Sequence, residues 1–120
     1  MKKILYIISI CALLMSCTNA SEDDLIDSTP PPDLVTYEGD VKSIIDNNCI
    51  SCHSDPPENG ATISLVTFEQ VEHAVENHNL IGRITGSSGP LMPQGGPKLP
   101  QNLIDIIIQW EADGLLEHDH

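Results

Sequence analysis

The 120-residue chain is poor in basic and aromatic residues. It holds five Lys and Arg against 18 Asp and Glu, a formal net charge of −13, and such a surface repels nucleic acid and anionic lipid. Aromatic residues make up only 3% of the chain, so a small domain has little bulky apolar mass for its core. No Ser/His/Asp set, phosphate loop or paired-carboxylate site is evident. The sequence therefore gives no sign of a nucleic-acid binder, of a small-molecule substrate or of a catalytic activity.

The four cysteines form two pairs, and only one pair belongs to the expected mature domain. Cys11 and Cys17 lie near the N-terminus, whereas Cys49 and Cys52 form the only C-x-x-C, which His53 follows directly. A structural zinc site needs about four ligands, commonly with a second Cys/His pair. A thioredoxin-like redox pair would be expected in a βαβ context, and no strand run lies nearby. The full C-x-x-C-H motif is instead typical of c-type haem attachment.

Each residue type in this motif has a chemical role. Cys49 and Cys52 can both reach the vinyl groups of one haem and form thioethers, and His53 is then held where an imidazole nitrogen can bind the iron. With this motif the chain resembles the cytochrome c family. The resemblance implies a single covalent haem c and an all-α fold, a small cytochrome c-like arrangement of three to five helices around the haem.

Met92 is the predicted second iron ligand. It is the only methionine left once the N-terminal segment is removed, and it lies in the Gly/Pro-rich loop 86–97. Met-Pro in a loop before the last helix resembles the distal ligand segment of cytochromes c, which implies His/Met ligation. The rival ligands are four histidines: His73, His78, His118 and His120. We expect the first two to be solvated, on the polar side of a helix, and the other two to lie in a mobile tail.

The N-terminus predicts an exported lipoprotein. After Lys2 and Lys3 comes a run of about twelve mostly apolar residues, shorter than the roughly 17–25 that a membrane-spanning helix needs. The run fits a secretory signal, and Leu-Met-Ser-Cys ending at Cys17 resembles a bacterial lipobox. We therefore predict a signal peptide over 1–16 and lipidation of Cys17. The alternative is an ordinary signal cut near Ala20.

A tether and one helical domain are predicted to follow. Residues 17–35 are acidic and contain three consecutive prolines, which favours an extended spacer. Residues 36–117 form the predicted haem domain, and 118–120 a disordered tail, with fraying expected from Leu115 onward. Apolar spacing and capping residues predict four helices in the domain, beginning near Thr36, Phe68, Leu80 and Leu103. In the last helix, Leu103, Ile107 and Trp110 are expected to share one face, beside a second face formed by Ile104 and Ile108, with Trp110 in the core.

These features favour an electron carrier and not an enzyme. Two strong protein ligands leave no open iron position, which favours outer-sphere electron transfer, and methionine ligation raises the reduction potential. The expected protein is anchored to a membrane through its lipid and faces the periplasm or the cell surface, and its acidic surface favours a basic redox partner. One alternative is a haem-based gas sensor or binding module with a labile distal ligand. Another is a metal-free lipoprotein whose C-x-x-C forms a disulfide.

Overall fold

The computed structural model describes residues 33–119, which contain four α-helices and no β-strand. A π-helical turn, Tyr37–Val41, leads directly into the first helix. The helices are α1 (Lys42–Asn48), α2 (Phe68–Asn77), α3 (Leu80–Thr85) and α4 (Gln101–Ala112). The predicted all-α class is confirmed. The predicted signal peptide, the lipidated Cys17, nearly all of the tether and His120 lie outside the described residues.

Thr36 caps the N-terminus of the π-helical turn. The Thr36 hydroxyl accepts a hydrogen bond from the Gly39 amide, and the Thr36 amide donates to the Asp40 carboxylate at 2.9 Å. The acidic side chains of this first turn, Glu38 and Asp40, complement the partial positive charge of a helix N-terminus. The apolar residues at helical spacing, Val41, Ile44 and Ile45, are all buried. Because α1 ends at Asn48, the C-x-x-C-H motif starts where the helix stops.

The ends of α2 and α3 follow from local capping. Thr67 and Gln70 form a reciprocal capping box at the start of α2, which satisfies amides that the first turn leaves unpaired. Helix α3 ends at Gly86, whose φ of 75° lies in the left-handed region that glycine adopts without strain. The starts of α2 and α3, predicted near Phe68 and Leu80, are confirmed.

Helix α4 begins two residues earlier than predicted, directly after Pro100. Its buried stripe is formed by Ile104, Ile107 and Trp110, while Leu103 is only half-buried. Ile108, predicted to share a second face with Ile104, is 38% exposed. Ile104 joins the stripe because it lies three residues before Ile107, whereas Ile108 directly follows Ile107 and is rotated away from it by about 100°.

The three aromatic residues of the described chain pack together in the core. Tyr37 lies 5.5 Å from Phe68 and 5.9 Å from Trp110 between ring centroids, and these tilted and edge-on contacts are favourable. Trp110 also donates its indole hydrogen to the Leu116 carbonyl at 2.8 Å. Trp110 is therefore a core residue, as predicted.

The predicted fraying from Leu115 onward was wrong for Leu115, Leu116 and Glu117, since the Leu115 amide donates to the Trp110 carbonyl at 2.9 Å. The Tyr37 amide donates to the Leu116 carbonyl at 2.8 Å, and the Glu38 amide donates to the Glu117 carbonyl at 2.9 Å. These bonds satisfy the Tyr37 and Glu38 amides. The first amides of a helical segment have no carbonyl partner within the segment itself. The chain end is thus paired to the first helical segment as far as Glu117.

Candidate functional site: one cavity lined by the C-x-x-C-H motif and Met92

A cavity of about 460 Å³ lies between the C-x-x-C-H turn, α3 and the segment that carries Met92. This volume is within the roughly 300–1,000 Å³ typical of small-molecule and cofactor sites. The cavity brings together the four predicted haem-binding residues of the described chain: Cys49, Cys52, His53 and Met92. Its apolar lining includes Ile63, Leu65, Leu80, Ile84 and Leu99. None of the lining residues carries a carboxylate, although the chain has 18 acidic residues.

The C-x-x-C-H motif forms one hydrogen-bonded turn directly after α1. The amides of Cys52 and His53 both donate to the Cys49 carbonyl, at 3.2 and 2.9 Å. This turn carries both cysteines and the histidine to the cavity wall. Asn59 folds back over it and donates to the Ser51 carbonyl at 3.2 Å. Both thiols are free and partly buried.

One hydrogen bond determines which nitrogen of His53 can bind a metal. The Nδ1 atom lies 2.8 Å from the Ile63 carbonyl oxygen. A carbonyl only accepts, so Nδ1 must carry the proton, and the lone pair resides on Nε2. A ligating histidine usually donates its other ring nitrogen in this way, which fixes the ring and raises its basicity. The backbone also braces this contact, since the Leu65 amide donates to the His53 carbonyl at 2.8 Å.

The environment of Cys49 opposes redox chemistry of the dithiol type. Burial raises the pKa of the Cys49 thiol to about 11. Redox-active cysteines need a lowered pKa, because the thiolate is the nucleophile. Burial therefore makes the Cys49 thiol a poorer nucleophile at neutral pH than an ordinary thiol.

Met92 approaches the cavity on a segment attached to α3. The Met92 amide donates to the Arg83 carbonyl at 3.0 Å, and the Ser88 amide donates to the Gly82 carbonyl at 3.2 Å. Residues 86–97 contain no helix or strand, as predicted, and Met92 is partly buried. Loop backbone, rather than an apolar helix face, thus presents the thioether.

The histidine rivals do not all lie at the cavity. His78 lines it, whereas His73 does not, although their rings are 5.1 Å apart. Both residues are exposed, as predicted. His118 is exposed and lies 3.7 Å from the Glu117 carboxylate. Only His78 among these three therefore competes with Met92 by position.

The sequence did not identify two features of the site. The first is the Ile63 carbonyl, which, as a backbone group, leaves no residue-type signal. The second is Arg83, the only permanently charged side chain that lines the cavity. Basic residues are rare in this acidic chain, and that rarity was the sequence feature that could have pointed to Arg83.

The lining fits a covalently attached haem. Two partly buried thiols, an imidazole with a free Nε2 and a thioether are the donors that c-type haem uses. Apolar residues form much of the wall, and Arg83 supplies a charge opposite to that of the haem carboxylates. Within residues 33–119, no three His, Cys, Asp or Glu side chains come together in a way that could hold a metal ion. A haem iron needs only two ligands from the protein.

None of the helices between residues 33 and 119 has the length and apolar character needed to cross a bilayer.

Comparison of the chain with protein-family models, with curated proteins and with solved structures finds no match.

Proposed function

We propose that the chain is a lipid-anchored c-type cytochrome that transfers single electrons through one covalent haem. One observation supports this proposal above all: Cys49, Cys52, His53 and Met92 line the same cavity, although Met92 lies far from the motif in sequence. A cytochrome c-like fold agrees with the helical architecture, in which an amphipathic helix runs directly into the C-x-x-C-H turn.

A bound haem supplies a one-electron couple at its iron. In the proposed role, His53 Nε2 and the Met92 sulfur would ligate the iron, and Cys49 and Cys52 would attach the haem covalently through their sulfur atoms. The hydrogen bond from His53 Nδ1 to Ile63 holds the imidazole in one orientation. The apolar part of the wall would disfavour additional positive charge on the iron, which would raise the reduction potential.

The experiment is a direct assay for haem on the mature protein. The full chain is isolated from its host membranes, or produced together with haem-attachment machinery, and examined by intact mass and by the pyridine haemochrome spectrum. We expect the mass of one haem and the spectrum of a porphyrin with two saturated vinyl groups. A colourless protein without that mass would exclude the proposal.

The lipid anchor is tested separately at Cys17. We expect Cys17→Ser to abolish lipid attachment, so that the protein no longer partitions into detergent. The haem content of the exported protein should stay the same. If the variant partitioned like the parent chain, another segment would hold the protein at the membrane.

Docking of a basic partner should weaken as ionic strength rises, because the charges of an acidic surface are screened by salt.

A gas-binding module is the second candidate function. The observation in its favour is that the Met92 segment is exposed, with Leu91 36% accessible to solvent. Carbon monoxide distinguishes the two functions. Rapid formation of an adduct by the ferrous protein at neutral pH favours the gas-binding module, and the absence of an adduct favours the electron carrier.

A further inference from the structure

We propose that Arg83 is a positioning residue for Met92. It holds residues 90–92 against α3 and so keeps the Met92 sulfur at the cavity. The inference rests on the proposed function for its role at the iron, but its structural part concerns only contacts within the chain.

Arg83 contacts this segment through both its backbone and its side chain. Its carbonyl accepts a hydrogen bond from the Met92 amide at 3.0 Å. Its guanidinium Nη1 donates to the Pro90 carbonyl at 3.3 Å. One residue therefore contacts the chain on both sides of Leu91, which restricts rotation of the segment about its own axis.

Gly89 brings the same segment close to the arginine side chain. A Cβ atom on Gly89 would lie 3.0 Å from Arg83 Nε and 3.2 Å from its Cδ and Cζ atoms. The Gly89 φ of 76° is also one that residues with a side chain rarely adopt. The backbone thus passes directly over the guanidinium, and glycine at this position makes the approach possible.

Arg83 is itself well held. Its amide donates to the Asn79 carbonyl at 3.0 Å within the first turn of α3, and its side chain is partly buried at the cavity wall. A lysine could supply the charge, but not the planar guanidinium with several donors that lies along the segment. A flexible methionine on a glycine-rich loop has little order of its own, so its position depends on such contacts.

The first measurement is hydrogen exchange of the peptide that covers residues 86–93, in the matured full chain. Arg83→Ala keeps the backbone carbonyl and removes the guanidinium. Because one hydrogen bond contributes modestly, we expect exchange of the Met92 amide to accelerate roughly threefold to tenfold. Lys98→Ala is the matched control, since it removes one positive charge from the segment between α3 and α4 that also carries Met92. We expect its exchange to match that of the parent chain.

The second measurement is spectroscopic and concerns the iron. In guanidinium chloride, the ferric sulfur-to-iron charge-transfer band of Arg83→Ala should disappear well before the helical circular dichroism does. In the parent chain the two signals should disappear closer together. Carbon monoxide should bind to the ferrous variant roughly threefold to tenfold faster, in proportion to the open population of the segment. Arg83→Lys should give intermediate exchange rates and intermediate rates of carbon monoxide binding, since it keeps the positive charge but loses the planar guanidinium with its several donors.

A double-mutant cycle separates the Arg83 contact from backbone strain at Gly89. Gly89→Ala strains the backbone in both backgrounds, but the new Cβ meets the arginine only when Arg83 is present. We expect its effect on exchange to be smaller in the Arg83→Ala background than in the parent. Equal effects in the two backgrounds would overturn the proposed contact.

The outcomes distinguish this inference from the proposed function. If the parent chain lacks haem, the proposed function fails, and the exchange data alone then decide whether Arg83 holds the segment. If haem and the charge-transfer band are present but Arg83→Ala behaves like Lys98→Ala in both measurements, the inference is overturned and the proposed function stands.

Discussion

Met92 and His78 both line the cavity, and they would give a haem iron different properties. Methionine stabilises the ferrous form, whereas a second imidazole does so less. We expect Met92→Ala to abolish the ferric sulfur-to-iron charge-transfer band. We also expect it to lower the reduction potential by on the order of 100–300 mV, a part of the roughly 0.8 V that axial ligands span. Absorption spectra and a potentiometric titration check both results.

His78→Ala is the matched control for this prediction, because it changes the rival ligand at the same cavity. We expect its band and potential to equal those of the parent protein. The reverse pattern, with an altered spectrum in His78→Ala and an unaltered one in Met92→Ala, would assign the iron to His78.

Tyr37 carries a polar atom that has no evident use. Its ring is buried between Phe68 and Trp110, and its hydroxyl has no hydrogen-bond partner within residues 33–119. A buried hydroxyl without a partner loses its hydration and gains nothing in return. We expect Tyr37→Phe to increase the free energy of unfolding by about 1 kcal/mol, measured with guanidinium chloride at pH 7. A loss of stability instead would mean that a water or another group pairs the hydroxyl.

The same hydroxyl predicts a pH dependence. Burial, followed by the nearby carboxylates of Asp46, Glu38 and Glu69, raises the pKa of Tyr37 from 10.0 to about 12. Between these values the unfolded chain has lost the proton that the folded chain still holds, so stability falls as pH rises from about 10 to about 12. We expect Tyr37→Phe to lose less stability over this range. Parallel stability curves for the two proteins would contradict the predicted shift.

At the scale of elements, the capping box of α2 is the clearest local determinant. Thr67 accepts a hydrogen bond from the Gln70 amide, and the Gln70 side chain accepts one from the Thr67 amide. Loss of an N-cap hydroxyl typically costs about 0.5–2 kcal/mol, so we expect Thr67→Ala to lower the free energy of unfolding by about 1 kcal/mol. Thr67→Ser keeps the hydroxyl and should stay close to the parent. If both variants lost the same stability, the Thr67 methyl group and not its hydroxyl would be responsible.

The exposed Glu69 carboxylate reports on the same cap. Its own backbone amide, and then the Thr67 hydroxyl, hold the pKa of Glu69 below its ordinary value of 4.5. This contribution to stability is present above the unfolded pKa and is lost as pH falls through the folded one. An NMR titration of Thr67→Ala should therefore show the Glu69 pKa moving upward, and an unchanged value would exclude the hydroxyl as a cause.

The helices were predictable because their signals lie in side chains. Thr67, Gly86 and the apolar spacing of Val41, Ile44 and Ile45 mark caps and faces through residue type. The pairing of Leu116 and Glu117 with the π-helical turn was not predictable, because it uses only backbone groups, which every residue has. The apolar faces of α4 were partly misassigned for another reason: with isoleucine at 104, 106, 107 and 108, pattern alone does not select the buried stripe.

The site shows the same division. Cys49, Cys52, His53 and Met92 were identified by type and motif, and the fold brings all four to one cavity. The orientation of His53 depends on the Ile63 carbonyl, and the attachment of Met92 depends partly on the Arg83 carbonyl. A sequence pattern indicates which side chains could bind a ligand, but it does not indicate which backbone atoms orient those side chains.

At the scale of the whole molecule, the cavity and the core share a wall. Leu65, Leu80, Ile84 and Leu99 belong to the buried core cluster and also line the cavity. The aromatic residues Tyr37, Phe68 and Trp110 pack elsewhere in the core, away from the cavity lining. A haem in the cavity would therefore extend an apolar core that is short of large side chains.

This shared wall predicts that the domain needs the proposed haem in order to fold. Cores of domains this small are marginal and often require a metal or another staple. Replacing both Cys49 and Cys52 with serine removes the attachment points with almost no change in side-chain volume. We expect this double variant to lack covalent haem, to lose most of its helical circular dichroism and to show no cooperative unfolding transition. Met92→Ala is the control, since it removes an iron ligand but keeps both thioethers, and it should remain folded. A haem-free double variant that unfolds cooperatively, with the helix content of the parent, would show that the polypeptide core suffices without the porphyrin.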